Sequence, residues 1–278
     1  MTDSWTVGAV TITRVEEAVT PVPAEALIPS FQPSMLEDHP WLQPRWFDDD
    51  GLLKLSVHTF VVQSGETTIV VDTCVGTEPE RALPSDPAFI DRLDAVVDGG
   101  IEGVDVVLCT HLHFDHVGWN TVVRDGERVA TFPRARYLFG RIELDHLDVD
   151  DHMEVRDPAV QPLLDAGLVD VVETDHAITD EVRLIPTPGH TPGHVSVLIE
   201  SEGEIALITG DAIHTPLQIA DPDIPAANFD WDSDMSCATR HELVDAHANT
   251  DTLVLGTHFA PPSGGHIKAD DDRIWFEA

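Results

Sequence analysis

Short apolar runs rich in β-branched residues recur along the chain and are separated by segments rich in glycine, proline and acidic residues. Runs of this length predict buried strands, and segments with apolar residues three or four positions apart predict helices. The predicted strands cover residues 6–15, 53–62, 67–72, 104–110, 135–139, 169–172, 182–185, 195–200, 205–209 and 252–256, and the predicted helices cover residues 86–97 and 236–248. Strands in both halves with helices between them favour an α/β fold in which two sheets pack face to face under a cover of helices.

The organisation of the chain indicates a single domain. No low-complexity linker or tandem repeat divides the 278 residues, and a hydrophobic content of 42% is enough for a substantial core. Residues 21–50 are rich in proline and tryptophan, which predicts an irregular N-terminal flap. We therefore expect one domain over residues 1–278.

Three imidazoles and one carboxylate fall within six residues directly after a predicted strand, at His111, His113, Asp115 and His116. A single histidine is usually a packed or solvated side chain, but four ligand-type residues in this order are typical of a metal site. Neutral imidazole and carboxylate donors suit zinc and similar divalent ions. The loop at the carboxyl end of a strand is also where α/β proteins usually place their chemistry.

Three later segments repeat this layout, with a ligand-type residue next to an apolar strand. A glycine- and proline-rich loop presents His190 and His194, and two further strands end at Asp211 and His258. A carboxylate buried at a strand end is costly unless it is paired with a cation. Asp211 therefore fits a ligand that bridges two metal ions.

The charge of the chain is strongly negative, with 51 acidic and 15 basic residues and a net charge of −36. Such a surface repels phosphate backbones, so a nucleic-acid partner is not expected. No apolar stretch approaches the roughly 20 residues needed to cross a bilayer, so a membrane partner is not expected either. The start of the chain lacks a signal-peptide pattern and the three cysteines form no disulfide framework, so the default expectation is a cytoplasmic protein.

The ligand-type residues resemble the motif set of the metallo-β-lactamase superfamily. In chain order the matching residues are His111, His113, Asp115, His116, His194, Asp211 and His258. The resemblance implies an αββα sandwich with two divalent metal ions at one edge. Zinc is the expected metal, and manganese, iron and cobalt accept the same donors.

The resemblance also implies how the ligands divide between the two ions. His111, His113 and His194 would hold the first ion. Asp115, His116 and His258 would hold the second, and Asp211 would bridge them. Asp115 would in addition act catalytically, by passing a proton to the leaving oxygen.

Residues 113–118, 210–214 and 257–267 are most similar to the branch that contains methyl parathion hydrolase-like and quorum-quenching lactonase-like enzymes. Aspartate at position 211, where zinc β-lactamases of the main class carry cysteine, argues against a β-lactamase. The branch implies hydrolysis of small apolar esters by a metal-bridging hydroxide. The expected substrate is an acyl-homoserine lactone or a related lactone, and the expected side activities are those of a phosphotriesterase or an arylesterase. It also implies a homodimer. A glyoxalase II-type thioesterase and a non-hydrolytic metal-binding redox or sensor module are the alternatives.

Residues around the ligands complete the predicted site. Asp72 and His190 are predicted to orient the metal ligands by contacting them without binding the metal themselves. His214 and His266 are predicted to be structural or solvated. A group of apolar loop residues predicts a substrate pocket for an acyl or aryl group: Trp46, Phe47, Trp119, Leu217, Phe229, Trp231 and Phe259.

The acidic surface yields a first test. Scattered acidic residues are most simply a solvated face, and the sharper hypothesis is a salt-loving (halophilic) source. At a net charge of −36, self-repulsion destabilises the compact state at low salt, and added salt screens it. We expect the melting temperature to rise between low-salt buffer and molar potassium chloride in a thermal scan. An unchanged or lower melting temperature would remove the halophilic hypothesis.

Overall fold

The computed structural model describes residues 3–77, 83–149, 154–226 and 229–278, and these form fifteen strands and eight α-helices. The strands are β1 Ser4–Val7, β2 Val10–Val22, β3 Leu53–Ser64, β4 Thr67–Val71, β5 Val106–Leu108, β6 Thr121–Arg124, β7 Glu127–Ala130, β8 Arg136–Gly140, β9 Val169–Val172, β10 Val182–Pro186, β11 Val195–Ser201, β12 Glu204–Ile208, β13 Leu253–Leu255, β14 Gly264–Ala269 and β15 Ile274–Glu277. The helices are α1 Ala24–Leu27, α2 Ser34–Asp38, α3 Phe89–Val96, α4 Phe114–Val117, α5 Arg141–Leu147, α6 Gln161–Asp165, α7 Leu217–Ala220 and α8 Ser233–His247.

Two mixed sheets form the centre of the protein. The first has the order β1-β2-β3-β4-β5-β8-β9, and the second has the order β10-β11-β12-β13-β14-β15. The pairs β4–β5, β5–β8, β8–β9 and β12–β13 are parallel, while the other neighbours in the two sheets are antiparallel. A separate hairpin of β6 and β7 lies outside both sheets.

The alternation of side chains along each strand builds three apolar layers. In β4, Ile69 and Val71 point into a buried cluster that also contains Val197 and Ile199 of the second sheet. Val70 points the other way, into a cluster that includes α3. Because successive strand residues face opposite sides of a sheet, apolar runs in the central strands cover both faces. The result is an αββα sandwich, which confirms the predicted fold class.

The N-terminal segment over residues 21–50, predicted as an irregular flap, is made of turns and short helices. It contains α1, α2 and a 3₁₀ turn at Pro40–Leu42. Its residues Leu27, Ile28 and Leu42 are buried in the cluster that covers the outer face of the second sheet. Helices of three to five residues are too short to be stable alone, so packing on the second sheet stabilises them.

The C-terminal hairpin of β14 and β15 was not predicted from the sequence. Glycines at 264 and 265 disfavour a strand, but Gly265 is required because an added Cβ would lie 2.4 Å from the Glu277 carbonyl oxygen. No helix in the described ranges is long and apolar enough to cross a membrane; the longest, α8, has 15 residues.

The parallel strands determine where the site lies. The strands β4, β5, β12 and β13 are followed by Asp72, the 109–113 loop, Asp211 and His258 respectively. Parallel neighbours end at the same edge of their sheet, so each sheet brings two of these segments together. The predicted ligands therefore converge at one edge of the sandwich.

Candidate metal centre

The carboxylate of Asp72 fixes the loop that carries the first predicted ligands. Its Oδ1 atom accepts a hydrogen bond from the Thr110 N–H at 2.7 Å, and its Oδ2 atom lies 2.9 Å from Nδ1 of His116. Asp72 has a φ of +62°, a left-handed conformation that aspartate tolerates better than most residues. By engaging Nδ1, Asp72 leaves Nε2 of His116 free for a metal. Asp72 therefore contacts both the backbone of the 109–113 loop and the ring of His116.

Imidazoles surround a single oxygen of the buried Asp211 carboxylate, whose side chain is 4% exposed. The distances from Oδ2 of Asp211 to the Nε2 atoms are 3.2 Å for His116, 3.2 Å for His258, 3.3 Å for His214, 3.5 Å for His190 and 3.8 Å for His111. Asp211 thus occupies the centre of the cluster, as expected for a shared ligand.

The donor atoms form overlapping groups, each compact enough to hold an ion. One group is His111, His113 and His190, and another is Asp115, His116 and His258. Asp211 belongs to two further groups, one with His111 and His116 and one with His190 and His214. Two sets of three ligands joined by one carboxylate fit a pair of divalent ions.

Unpaired polar atoms support this fit. Nε2 of His111, Nε2 of His116 and Oδ1 of Asp211 are buried without a hydrogen-bond partner. Buried polar atoms are rarely left unpaired, and an exception calls for an explanation such as an ion. The three atoms belong to His111, His116 and Asp211, which form one of the ligand groups, so a bound cation would account for them.

The electrostatics separate the histidines into two classes. Burial lowers the pKa of His113 to about 3 and that of His190 to about 4, so both rings are neutral donors at physiological pH. Burial also lowers the pKa of His116 and His258, but the carboxylates around them outweigh it and raise both values. Negative charge that favours a proton on these rings also favours a metal cation, because both carry positive charge.

The two histidines of the 187–194 loop, of which His194 is the predicted ligand, have different surroundings in the structure. Nε2 of His190 lies 2.9 Å from Nδ1 of His113, within a ligand group. His194 uses both of its nitrogens elsewhere: Nδ1 donates to the Thr187 carbonyl oxygen at 3.0 Å, and Nε2 accepts the Asp211 N–H at 2.9 Å. His190 therefore belongs to a donor group compact enough to hold an ion, whereas both nitrogens of His194 are engaged by the protein.

Three supporting groups near the ligands were not identified from the sequence. Oδ1 of Asp230 lies 3.2 Å from Nδ1 of His190. The Ser56 carbonyl oxygen accepts a hydrogen bond from Nδ1 of His258 at 2.8 Å. His214, expected to be structural or solvated, is buried against Asp211. Its position three residues after Asp211 was the only local signal. Asp230 and Ser56 lie outside any recognisable motif.

Comparison with known proteins decides the family. A sequence profile of the metallo-beta-lactamase superfamily matches residues 53–258. The chain belongs to this superfamily. An N-acyl homoserine lactonase of Bacillus cereus is 28% identical over 209 residues, which cover 68% of this chain and 76% of that protein. Membership and this homology make the chain a metal-dependent hydrolase.

Solved structures of superfamily members share the fold over almost the whole chain. AidC, a dizinc quorum-quenching lactonase in complex with a product, superposes with a TM-score of 0.80 at 18% identity, covering 99% of this chain and 96% of that one. The hydrolase AbOPH superposes with a TM-score of 0.81 at 22% identity, with the same coverage of 99% and 96%. At these identities the likeness establishes the αββα architecture.

A cavity of about 360 Å³ opens onto the ligand cluster of this superfamily member. Its polar lining residues are His113, Asp115, His190, Asp211, His214 and His258, and its apolar ones are Val22, Pro23, Ala26, Leu27, Leu55, Leu83, Phe114 and Phe229. The cavity thus combines a floor of ligand-type side chains with an apolar wall, part of which comes from α1.

Most of the predicted pocket residues lie elsewhere, and Phe229 is the member of that set that lines the cavity. The aromatic or aliphatic residues Trp46, Phe47, Leu217 and Phe259 are buried in the cluster over the second sheet. Trp119 is buried on the first sheet, where its indole N–H donates to Glu17 at 2.7 Å. Trp231 is 52% exposed and contacts His146. Sequence proximity to a ligand did not indicate which way these side chains point.

The two histidines of the 187–194 loop can be separated experimentally. We expect His190→Ala to lower the zinc content of reconstituted, dialysed protein from two ions per chain to one, because it removes a donor of one ligand group. His194→Gln should keep two ions, because the glutamine oxygen can still accept the Asp211 N–H. Elemental analysis measures both. Loss of an ion from His194→Gln but not from His190→Ala would restore the original prediction.

Proposed function

We propose that the protein is a two-metal lactonase that opens acyl-homoserine or related lactones, with aryl esters and phosphotriesters as slower substrates. The observation that carries this proposal is the cavity, in which an apolar wall stands over two ligand groups joined by Asp211. An apolar acyl chain fits the wall, and a polar carbonyl fits the floor. The homology to an N-acyl homoserine lactonase supports the same substrate class.

In this proposal each ion has three ligands of its own and shares Asp211. The first would be held by His111, His113 and His190. The second would be held by Asp115, His116 and His258. Imidazole and carboxylate donors in these numbers suit zinc, and AidC, whose fold this chain shares, is described as a dizinc enzyme. Such ions lower the pKa of a water toward neutral and polarise an attacked carbonyl.

The side chains around the ions bind and orient the ester. Leu27, Leu55 and Phe229 line the apolar wall and would hold the acyl chain while excluding water. Asp115 reaches the cavity with a side chain that is 13% exposed, and its Oδ2 lies 3.6 Å from Nε2 of His258. A carboxylate so placed can hold a proton and deliver it to the leaving alkoxide oxygen as the ring opens.

A substrate panel tests the proposed function. Zinc-reconstituted protein in high salt should release protons fastest from acyl-homoserine lactones of short and long chain. A simple δ-lactone, an aryl ester, a thioester and a phosphotriester complete the panel. His113→Ala should abolish turnover because it removes a first-ion ligand, whereas His241→Ala, at a ring exposed on α8, should leave turnover unchanged. A thioester as the best substrate, or no turnover with two ions bound, would overturn the lactonase proposal.

The role of Asp115 has a separate test. We expect Asp115→Asn to reduce kcat for a lactone by about 100-fold or more, the usual contribution of a positioned proton donor. The loss should be smaller for a nitrophenyl ester, whose leaving group needs little protonation. Elemental analysis must accompany the kinetics, because asparagine also weakens a metal ligand. Two bound ions with full lactone turnover would exclude the proton-transfer role.

A further inference from the structure

Glu143 is a charged side chain with an unusual position. It lies in α5 and is only 3% exposed, although glutamate is almost never fully buried unless it is paired. It belongs to neither the predicted ligands nor the ligand groups of the site. The position calls for partners that compensate the burial of the carboxylate.

Those partners are backbone N–H groups of the two loops that carry the first ion's ligands. Oε2 of Glu143 accepts from Leu112 N–H at 3.2 Å, and Oε1 accepts from Gly193 N–H at 2.7 Å. Leu112 stands between His111 and His113, and Gly193 follows His190 by three residues. One carboxylate therefore links both loops that supply the three ligands of the first ion.

The opposing loop is shaped for this contact. A Cβ atom added to Gly193 would lie 2.8 Å from the Glu143 backbone nitrogen and 2.9 Å from its Oε1. Such distances are too short for a side chain, so glycine permits the close approach. The same two loops are also joined by the hydrogen bond from Val195 N–H to the Thr110 carbonyl oxygen, at 3.1 Å.

The second ion's ligands are held by different groups. Asp72 engages Nδ1 of His116, and the Ser56 carbonyl oxygen engages Nδ1 of His258. Asp72 also accepts from Thr110 N–H and therefore contacts both halves of the site, whereas the hydrogen bonds of Glu143 go to the loops of the first ion.

We propose that Glu143 is a positioning residue that fixes the spacing between the 109–113 and 187–194 loops and thereby sets the affinity for the first metal ion. It acts through the backbone of the ligand loops and does not contact substrate. Groups that orient ligands typically contribute 10–100-fold to metal affinity. Loss of Glu143 should therefore weaken the first ion selectively, while the second ion keeps its support.

The experiment compares Glu143→Gln with Asp72→Asn, a substitution at a carboxylate that contacts both halves of the site. The glutamine amide nitrogen cannot accept an N–H, so one of the two links is lost with little change in volume. Zinc retained at increasing chelator concentration gives the affinity of each ion, and the cobalt(II) absorption spectrum shows which ion remains. The spectra of His113→Ala and His258→Ala serve as single-ion references.

For Glu143→Gln we expect a 10–100-fold weaker first ion, an unchanged second ion, and a one-equivalent cobalt spectrum that matches His113→Ala. Asp72→Asn should weaken both ions, because Asp72 engages His116 of the second ion and Thr110 of the first-ion loop. Equal loss of both ions from Glu143→Gln, or wild-type affinity for both, would overturn the inference. If Glu143→Gln does not fold, Gly193→Ala tests the same link from the opposite loop and should give the same selective loss.

This inference rests on the proposed two-ion site, and the measurement separates the two because it needs no substrate. If the wild-type protein binds two ions and the Glu143→Gln variant binds them equally well, only the role of Glu143 is excluded. Wild-type protein that binds fewer than two ions removes the proposed function and this inference together. A two-ion protein with no lactone turnover leaves the metal measurement valid.

Discussion

The buried carboxylate of Asp211 is the group on which the functional edge of the sandwich depends. A charge taken out of water costs several kcal/mol unless it is paired, and Asp211 is 4% exposed. Burial alone would raise its pKa, but the imidazoles around it, His116 foremost, hold the value well below the usual range. The rings are themselves desolvated, so neither the carboxylate nor its neighbours is well satisfied alone. A divalent cation between them compensates both.

The histidines reach Asp211 because strands from both sheets end at one edge, and each ring is then oriented from its far nitrogen. Asp72 holds His116, Asp230 holds His190, and a backbone carbonyl of β3 holds His258. With one nitrogen bonded to the protein, the other is left free to bind a metal ion. These supports come from segments far apart in the chain. The site therefore exists only in the folded protein, and metal binding should be coupled to folding.

The floor of the cavity and much of its apolar wall come from different parts of the chain. The superfamily profile matches residues 53–258, which contain all the ligand-type residues of the cavity floor. Much of the apolar wall, including Val22, Ala26 and Leu27, lies before that region. The N-terminal segment packs on the second sheet through its own buried residues, so its α1 can present a fixed wall to the ligands. Differences in this segment offer a way to change the substrate without disturbing the metal ligands.

The sequence by itself determined the chemistry and the architecture. Apolar runs of strand length predicted the two sheets. The motif from His111 to His116 with Asp211 and His258 indicated which side chains cluster at one edge, because these signals are local in the chain. The tertiary structure decided what depends on direction in space. It placed His190 in a donor group beside the Asp211 carboxylate and His194 against the Asp211 backbone, a difference that packing alone determines because the two are four residues apart in one tight loop. It also buried most of the predicted pocket residues in the core, while α1 and other apolar residues line the cavity. It also paired Glu143 with both ligand loops, a contact across 31 and 50 residues of chain that no local pattern encodes.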